Sequence, residues 1–312
     1  MTGPLLLLDS ASLYFRAFFG VPRSITAPDG TAINAARGFI EMIARLITDH
    51  RPHGLVACWD EQWRPEFRVA ALPTYKAHRV APDGGEDVPE ELPAQVEVII
   101  EVLAAAGISR VGAPDMEADD VIATLSAREL ATEHPRPIRI VTGDRDLFQL
   151  VDDAADVAVL YPARGVSNLN FINQDELTKR YGVHSGEQYA DLAILRGDPS
   201  DGLPGVPGIG EKLAAKLLAT FGDLDAIIAA VDDPTSALTP TQRRRLAESL
   251  NYLGAAPKVV RVRRDAPVGE YHDAIPREPA DPQRLAALRE QWGLGSAVDR
   301  LLAAMAEVDH RP

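Results

Sequence analysis

The sequence predicts an α/β protein: a mostly parallel sheet with helices on both faces, followed by a helical second lobe. Three observations predict it. Short, unbroken apolar runs end in small or acidic residues, each is followed by a segment of helical spacing, and after Tyr181 the spacing becomes predominantly helical. Strands of a parallel sheet are buried on both sides, so they read as continuous apolar runs between helices. The runs are Leu5–Asp9, Leu55–Asp60, a weak one at Ser109–Gly112, Ile138–Asp144 and Val157–Tyr161. Helical spacing occupies Ala36–Thr48, Gln95–Ala106, Ala118–Leu130 and Asp146–Leu150. In the second lobe it occupies Gly186–Leu195, Lys212–Thr220, Leu224–Val231 and Pro240–Leu250. A late strand is expected at Lys258–Arg263 and a last amphipathic helix at Val298–Ala306. The boundary falls near residue 185, giving domains 1–185 and 186–312. An insert of about thirty residues, 61–93, interrupts the first domain, and an insert of that length on a compact sheet is usually functional.

With 312 residues, 46% hydrophobic and 25% charged, the chain can bury a sizeable core, which excludes global disorder. No apolar run reaches the ~18 residues of a membrane span, and the N-terminus shows no signal-type segment. The single cysteine, Cys58, allows neither an internal disulfide nor a thiolate zinc site, so a cytoplasmic protein is expected. A net charge of −14 argues, taken alone, against nucleic acid as a partner. The placement of the acids matters more than their total.

Three of the apolar runs end in aspartate: Asp9, Asp60 and Asp144. Ligands of open parallel sheets bind outside the carboxyl ends of the strands, so these side chains should share one crevice. Asp146 follows two residues after Asp144, Glu117, Asp119 and Asp120 open a helix, and Asp198 and Asp201 stand at i,i+3 in the second lobe. Any one of these could simply cap a helix or complement its dipole. Nine together would repel one another without cations. Hard oxygen donors suit Mg²⁺ or Mn²⁺, and two or more such ions form the clamp used for phosphodiester hydrolysis.

Two further segments carry positive or amide-rich character. Residues 202–218, GLPGVPGIGEKLAAKLL, read as a hairpin between helices. Gly205, Gly208 and Gly210 permit close backbone approach, and the amides at the following helix start favour a phosphate. Lys212 and Lys216, at i,i+4, could reach a second phosphate, and the carbonyls of such a turn can hold a monovalent cation. Within the insert, Arg64–Arg79 holds four cations and one acid, Glu66. This makes that stretch of the insert locally basic in a chain that is acidic overall, as a segment beside a phosphate backbone would be.

With these residues assembled, the chain resembles the bacterial 5′-to-3′ exonuclease and flap endonuclease family, which includes the N-terminal domain of DNA polymerase I. The motifs LLLLDSASLYFRAF, WDEQWRPEFR, TYKAHR, MEADDVIATL, VTGDRDLFQL and GDPSDGLPGVPGIGEK occur in family order, and the resemblance runs from about Leu5 to Leu302. It implies a PIN-like domain, a helical arch, and a helix–hairpin–helix (helix-three-turn-helix) element that grips duplex DNA. It implies metal binding by Asp9, Asp60, Glu117, Asp119, Asp120, Asp144, Asp146, Asp198 and Asp201, with Lys76, Arg79, Asp144 and Asp120 as the catalytic group. Lys76 and Arg79, at i,i+3 on a short arch helix, would face the acidic crevice together and bind the scissile or 5′ phosphate. Tyr75 would stack on a base, and Arg16 and Arg68 would make further phosphate contacts. A potassium ion would sit on the backbone near Val206 and Ile209. Partners would be 5′-flap, nicked or overhang DNA and RNA–DNA primer junctions, handled by a monomer in primer removal and repair. Ser10 and Gly202 depart from the family pattern, which often has glycine and asparagine there. The second departure is expected to loosen the turn carrying Asp201. The competing readings are a non-catalytic DNA-binding adaptor using the hairpin alone and a PIN-type ribonuclease acting on single-stranded RNA.

Overall fold

The computed structural model describes residues 3–163 and 165–308. Its six-stranded sheet has the order β3-β2-β1-β4-β5-β6. The strands are β1 (Leu5–Asp9), β2 (Gly54–Cys58), β3 (Arg110–Val111), β4 (Ile138–Val141), β5 (Val157–Tyr161) and β6 (Asn170–Ile172). All pairings are parallel except β5–β6, where Val159 lies opposite Ile172 in antiparallel register. Strand β1 pairs β2 on one edge and β4 on the other, so the order reverses at β1 and a crevice opens at its carboxyl end.

Successive side chains of β1 point to opposite faces, and both faces are covered. Leu5 and Leu7 enter one core with α5 (Ala118–Leu130) and the helices beyond residue 186. Leu6 and Leu8 enter the other, with α1 (Ser10–Gly20), α2 (Asn34–His50) and α4 (Leu92–Ala106). That alternation is why the run LLLL is wholly buried.

The insert after β2 holds only one short helix, α3 (Glu66–Ala71), and a single 3₁₀ turn, Ala77–Arg79. The expected short arch helix through Lys76 is therefore absent. Lys76 itself stands in the left-handed region, with φ of 47°, just before the turn. Residues 146–150 likewise form a 3₁₀ turn, closed by Phe148 and Leu150 packing into the core.

Past β6 come α6 (Gln174–Tyr181), α7 (Gly186–Arg196), α8 (Glu211–Phe221), α9 (Leu224–Ala229), α10 (Pro240–Glu248), α11 (Leu250–Ala255) and α12 (Pro257–Val260). The expected late strand at 258–263 does not form. Its β-branched residues begin in α12, and the following backbone is satisfied by side chains instead of a neighbouring strand. Gln149 donates to the Val260 carbonyl and accepts from the Val262 amide at 3.0 Å each, while Asp120 accepts from the Arg263 amide at 2.8 Å. The last helices, α13 (Pro282–Gln291) and α14 (Gly295–Ala306), return to the core of Leu6 and Leu8, where Leu288, Leu301 and Met305 pack with the α2 and α4 side chains. No helix among the described residues is long and apolar enough to cross a membrane.

Candidate active site

The crevice at the carboxyl end of β1 is a cleft of about 750 Å³. Asp9, Asp60, Glu117, Asp119, Asp144, Asp146 and Asp198 line it, together with Glu86 of the insert, which the sequence reading did not place there. The cations on the same walls are Arg16, Lys76, Arg79 and Arg145. Eight carboxylates face four cations, and two divalent ions would balance that excess.

Local sequence explains the placement. Asp9 ends β1 and also caps α1: one oxygen accepts from the Ser12 amide at 3.1 Å, the other from the Thr142 hydroxyl at 2.6 Å. Capping and the crevice thus use the same aspartate. Asp60 follows β2 and accepts from the Ala118 amide at 2.7 Å, tying two strand ends together. Asp144 follows β4 and accepts from the Asp146 amide at 2.9 Å, which turns both acids toward the opening.

Burial pushes the Asp60 carboxyl up to about 7, with Asp9 and Glu117 adding to the shift. Asp9 rises to about 6, again chiefly by burial and then by Asp144, against the hydrogen bonds from Thr142 and Ser12. Asp119 and Asp146 are raised well above the usual carboxylate range by burial and by Asp144. Carboxylates that repel one another out of water favour either protons or a cation. The donor set is all hard oxygen and fits Mg²⁺ or Mn²⁺. Among the described residues no three such side chains are already drawn together closely enough to hold an ion.

Three expected roles are corrected. Asp120 does not face the cleft: it is fully buried, and Arg68 grips its two oxygens at 2.6 and 2.8 Å. It therefore has no open side for a metal. Arg68, expected on a phosphate, is 2% exposed and bonds Asp120, Glu117 at 2.7 Å and the Val259 carbonyl at 3.0 Å. Tyr75, expected to stack on a base, is 4% exposed and donates its hydroxyl to Glu117 at 2.8 Å. Its ring is core, packed with α5 and the second-lobe helices.

Lys76 and Arg79 do reach the acids. Lys76 pairs with Glu117, and this charge, with Tyr75 and Asp201, outweighs burial in holding the ammonium pKa well up. Arg79 donates to Asp201 at 3.0 Å and to the Ser200 carbonyl at 2.8 Å. Arg64 closes the insert on the Tyr75 and Pro73 carbonyls at 2.6 and 2.9 Å. The insert thus lies down on the acids. Arg16 reaches the cleft from α1, and its Nε is buried with no partner among the described residues. Phe19, 69% exposed on the same helix, stands at the rim, and sequence periodicity gave no sign of it.

In the second lobe, Asp198 caps its turn through the Ser200 amide at 2.8 Å. Gly202 adopts φ of +73°, and a Cβ there would collide with the Thr74 carbonyl oxygen. The departure at this position does not loosen the Asp201 turn; it lets the turn dock against the insert. Gly205 is buried against the end of α7, so its close approach is internal. Gly208 and Gly210 are exposed, Gly210 caps α8, and Lys212 and Lys216 project from that helix into solvent. The Val206 carbonyl accepts from the Ile209 amide at 2.9 Å within the hairpin. Arg245 of α10, unforeseen, donates to the Gly208 carbonyl at 3.0 Å.

Residues 4–182 match the family described as the 5′-3′ exonuclease N-terminal resolvase-like domain, and residues 184–283 match its C-terminal SAM fold. A 5′-3′ exonuclease of Streptomyces coelicolor is 58% identical over 306 residues, covering 96% of this chain and 99% of that one. A 5′-3′ exonuclease of Mycobacterium tuberculosis is 50% identical, covering 98% of each. Among solved structures, the flap endonuclease of bacteriophage T5 in a pseudo-enzyme–product complex with DNA and metal ions shares the fold. Its TM-score is 0.64 at 19% identity, covering 98% of each chain.

Proposed function

From the premise that this chain belongs to the 5′-3′ exonuclease family, we propose that it is a structure-specific nuclease cutting 5′-flap, nicked and overhang DNA, including RNA-primed ends. The observation that carries this reading is the cleft itself: carboxylates from three strand ends, the start of α5 and the second lobe share one opening with Lys76, Arg79 and Arg16. Asp9, Asp60, Glu117, Asp119, Asp144, Asp146, Asp198 and Asp201 are the residues that would hold two or more Mg²⁺ or Mn²⁺ ions. When bound, such ions supply water activation at phosphorus and stabilisation of the leaving oxygen.

The protein's own groups do the rest. Arg16, with an unpartnered Nε at the cleft, receives a phosphate oxygen. Lys76 and Arg79, now paired to Glu117 and Asp201, neutralise charge on the reacting phosphate as the insert rises. On the second lobe the exposed Gly208–Gly210 amides at the start of α8 take a duplex phosphate, and Lys212 and Lys216 extend that contact. A potassium ion on the hairpin carbonyls near Val206 and Ile209 would add positive charge beside it. Catalysis by Asp144, Lys76 and Arg79 then releases a 5′-phosphate and a 3′-hydroxyl. A cytoplasmic monomer in which residues 1–185, backed by α13 and α14, cut and the helices from 186 to about 260 hold the duplex suits primer removal and flap trimming. The last two helices therefore leave the expected 186–312 domain for the first.

Product mapping on a nicked duplex with a 5′ single-stranded tail tests the reading. Mg²⁺-dependent cuts at or near the junction are expected. Preference for bare single-stranded RNA, or binding with no cut in Mg²⁺ or Mn²⁺, would overturn it.

A further inference from the structure

The cleft uses Glu117 in two ways at once: its carboxylate meets Lys76 and Tyr75 from the insert, and Arg68 from behind. The two cations differ. The Lys76 side chain is 14% exposed and lines the cleft, whereas that of Arg68 is 3% exposed and does not. Arg68 is also fixed by every nitrogen of its fork. Nε donates to the Val259 carbonyl, and Nη1 and Nη2 to the two oxygens of Asp120. Asp120 is fixed in turn, accepting the Arg263 amide at 2.8 Å and the Glu117 amide at 3.3 Å. A carboxylate has about four lone-pair sites, and these four donors fill them.

We propose that Arg68 and Asp120 are positioning residues: Asp120 locks the Arg68 guanidinium behind Glu117, which keeps its place in the cleft when Lys76 leaves for a phosphate. The proposal rests on the nuclease reading only for the fate of Lys76. The lock joins the insert, the start of α5 and the segment after α11, three parts of the chain that meet in one hydrophobic core and place this charge pair at its edge behind Glu117. Such a pair is costly to bury, and removing one partner strands the other. An outer carboxylate of this kind typically changes metal affinity or rate by about 10- to 100-fold, without itself touching the ion.

The test is a Mn²⁺ titration of the whole protein followed by electron paramagnetic resonance, on wild type, Asp120→Asn and Arg68→Lys. The expected result for Asp120→Asn is the wild-type number of bound ions with half-saturation raised about 10- to 100-fold. Its single-turnover cleavage should recover at saturating Mn²⁺, and tailed-duplex affinity should stay within threefold. Arg68→Lys keeps a buried cation without the fork and should shift half-saturation the same way, which holds the test open if Asp120→Asn does not fold. Loss of one bound ion would make Asp120 a ligand and overturn the proposal. So would a lowered melting temperature with unchanged half-saturation, which would leave the pair merely structural, and so would loss of duplex binding, which would return Arg68 to a phosphate. Wild-type protein that binds Mn²⁺ but never cuts would fail the nuclease reading and leave this readout intact.

Discussion

The amide of Lys76 donates to the carbonyl of Asp201 at 3.0 Å, joining the insert of the first lobe to the acidic turn of the second. The bond is possible because Gly202, next to Asp201, presents bare backbone to Thr74. One backbone contact therefore sets the distance between a cation expected on phosphate and an acid expected on metal.

Gly202→Ala should break that contact. Its φ of +73° disfavours a side chain, and the new methyl would meet the Thr74 carbonyl. A loss of about 1–3 kcal/mol in stability is expected, typical of a substitution strained in this way. Thermal melting measures it, and a melting temperature equal to wild type would show that the turn and insert are not in contact in solution.

Asp144→Asn tests the metal centre where it is most accessible. Asp144 is exposed at the end of the β4 run and lines the cleft. The substitution keeps the shape and removes the charge, so cleavage should vanish while duplex affinity stays within a few-fold. Gel-shift binding and single-turnover cleavage read the two quantities separately. Wild-type turnover in excess EDTA would contradict the scheme from the other side.

The strand ends were legible and much of what surrounds them was not. Asp9, Asp60 and Asp144 could be placed in one crevice because unbroken apolar runs announce parallel strands and strands have a known functional end. Nothing comparable marks a side chain's direction on a short insert. Arg68 looks like one of four insert cations, yet it turns inward because Asp120 and the Val259 carbonyl, 191 residues away in sequence, wait there. The same long-range partners misled the reading of 258–263, whose β-branched residues suggest a strand until Gln149 and Asp120 are seen to satisfy its backbone. Strand β6, three residues on an antiparallel edge, is too short to carry a periodic signal.

The raised carboxyls predict how stability depends on pH without metal. Asp9 at about 6 and Asp60 at about 7 lie above the ordinary 3.8. A carboxyl raised in the folded state binds more protons folded than unfolded, so its contribution is full below 3.8 and is lost as pH rises through 6 to 7. In EDTA the melting temperature should therefore carry a falling component between about pH 4 and pH 7 and level off above it. Mg²⁺ replaces those protons, and its stabilising effect should be larger at pH 8 than at pH 5. An equal Mg²⁺ effect at both pH values would mean that these carboxyls do not form the cation site.

Lys76→Ala should slow single-turnover cleavage by about 10²–10³-fold, the usual cost of removing one group that stabilises developing charge. Binding of the tailed duplex should change far less if, as proposed, the exposed hairpin and α8 lysines hold the duplex elsewhere. Glu117 would still be held by Arg68 and Tyr75, so the acidic cleft should survive. An unchanged cleavage rate would remove Lys76 from the site.

Tyr75→Phe separates two roles for one residue. As a base-stacking platform, Tyr75 would lose nothing, since the ring remains. In the structure the ring is buried and the hydroxyl is bonded to both oxygens of Glu117, at 2.8 and 3.0 Å. Removing that hydroxyl takes a donor from a buried, charged acceptor, at a cost of about 1.5–3 kcal/mol. Melting should register that loss, and the Mn²⁺ concentration needed for half-maximal cleavage should rise as Glu117 loses a tether. A variant as stable as wild type, with unaltered Mn²⁺ dependence, would free the ring to face a base.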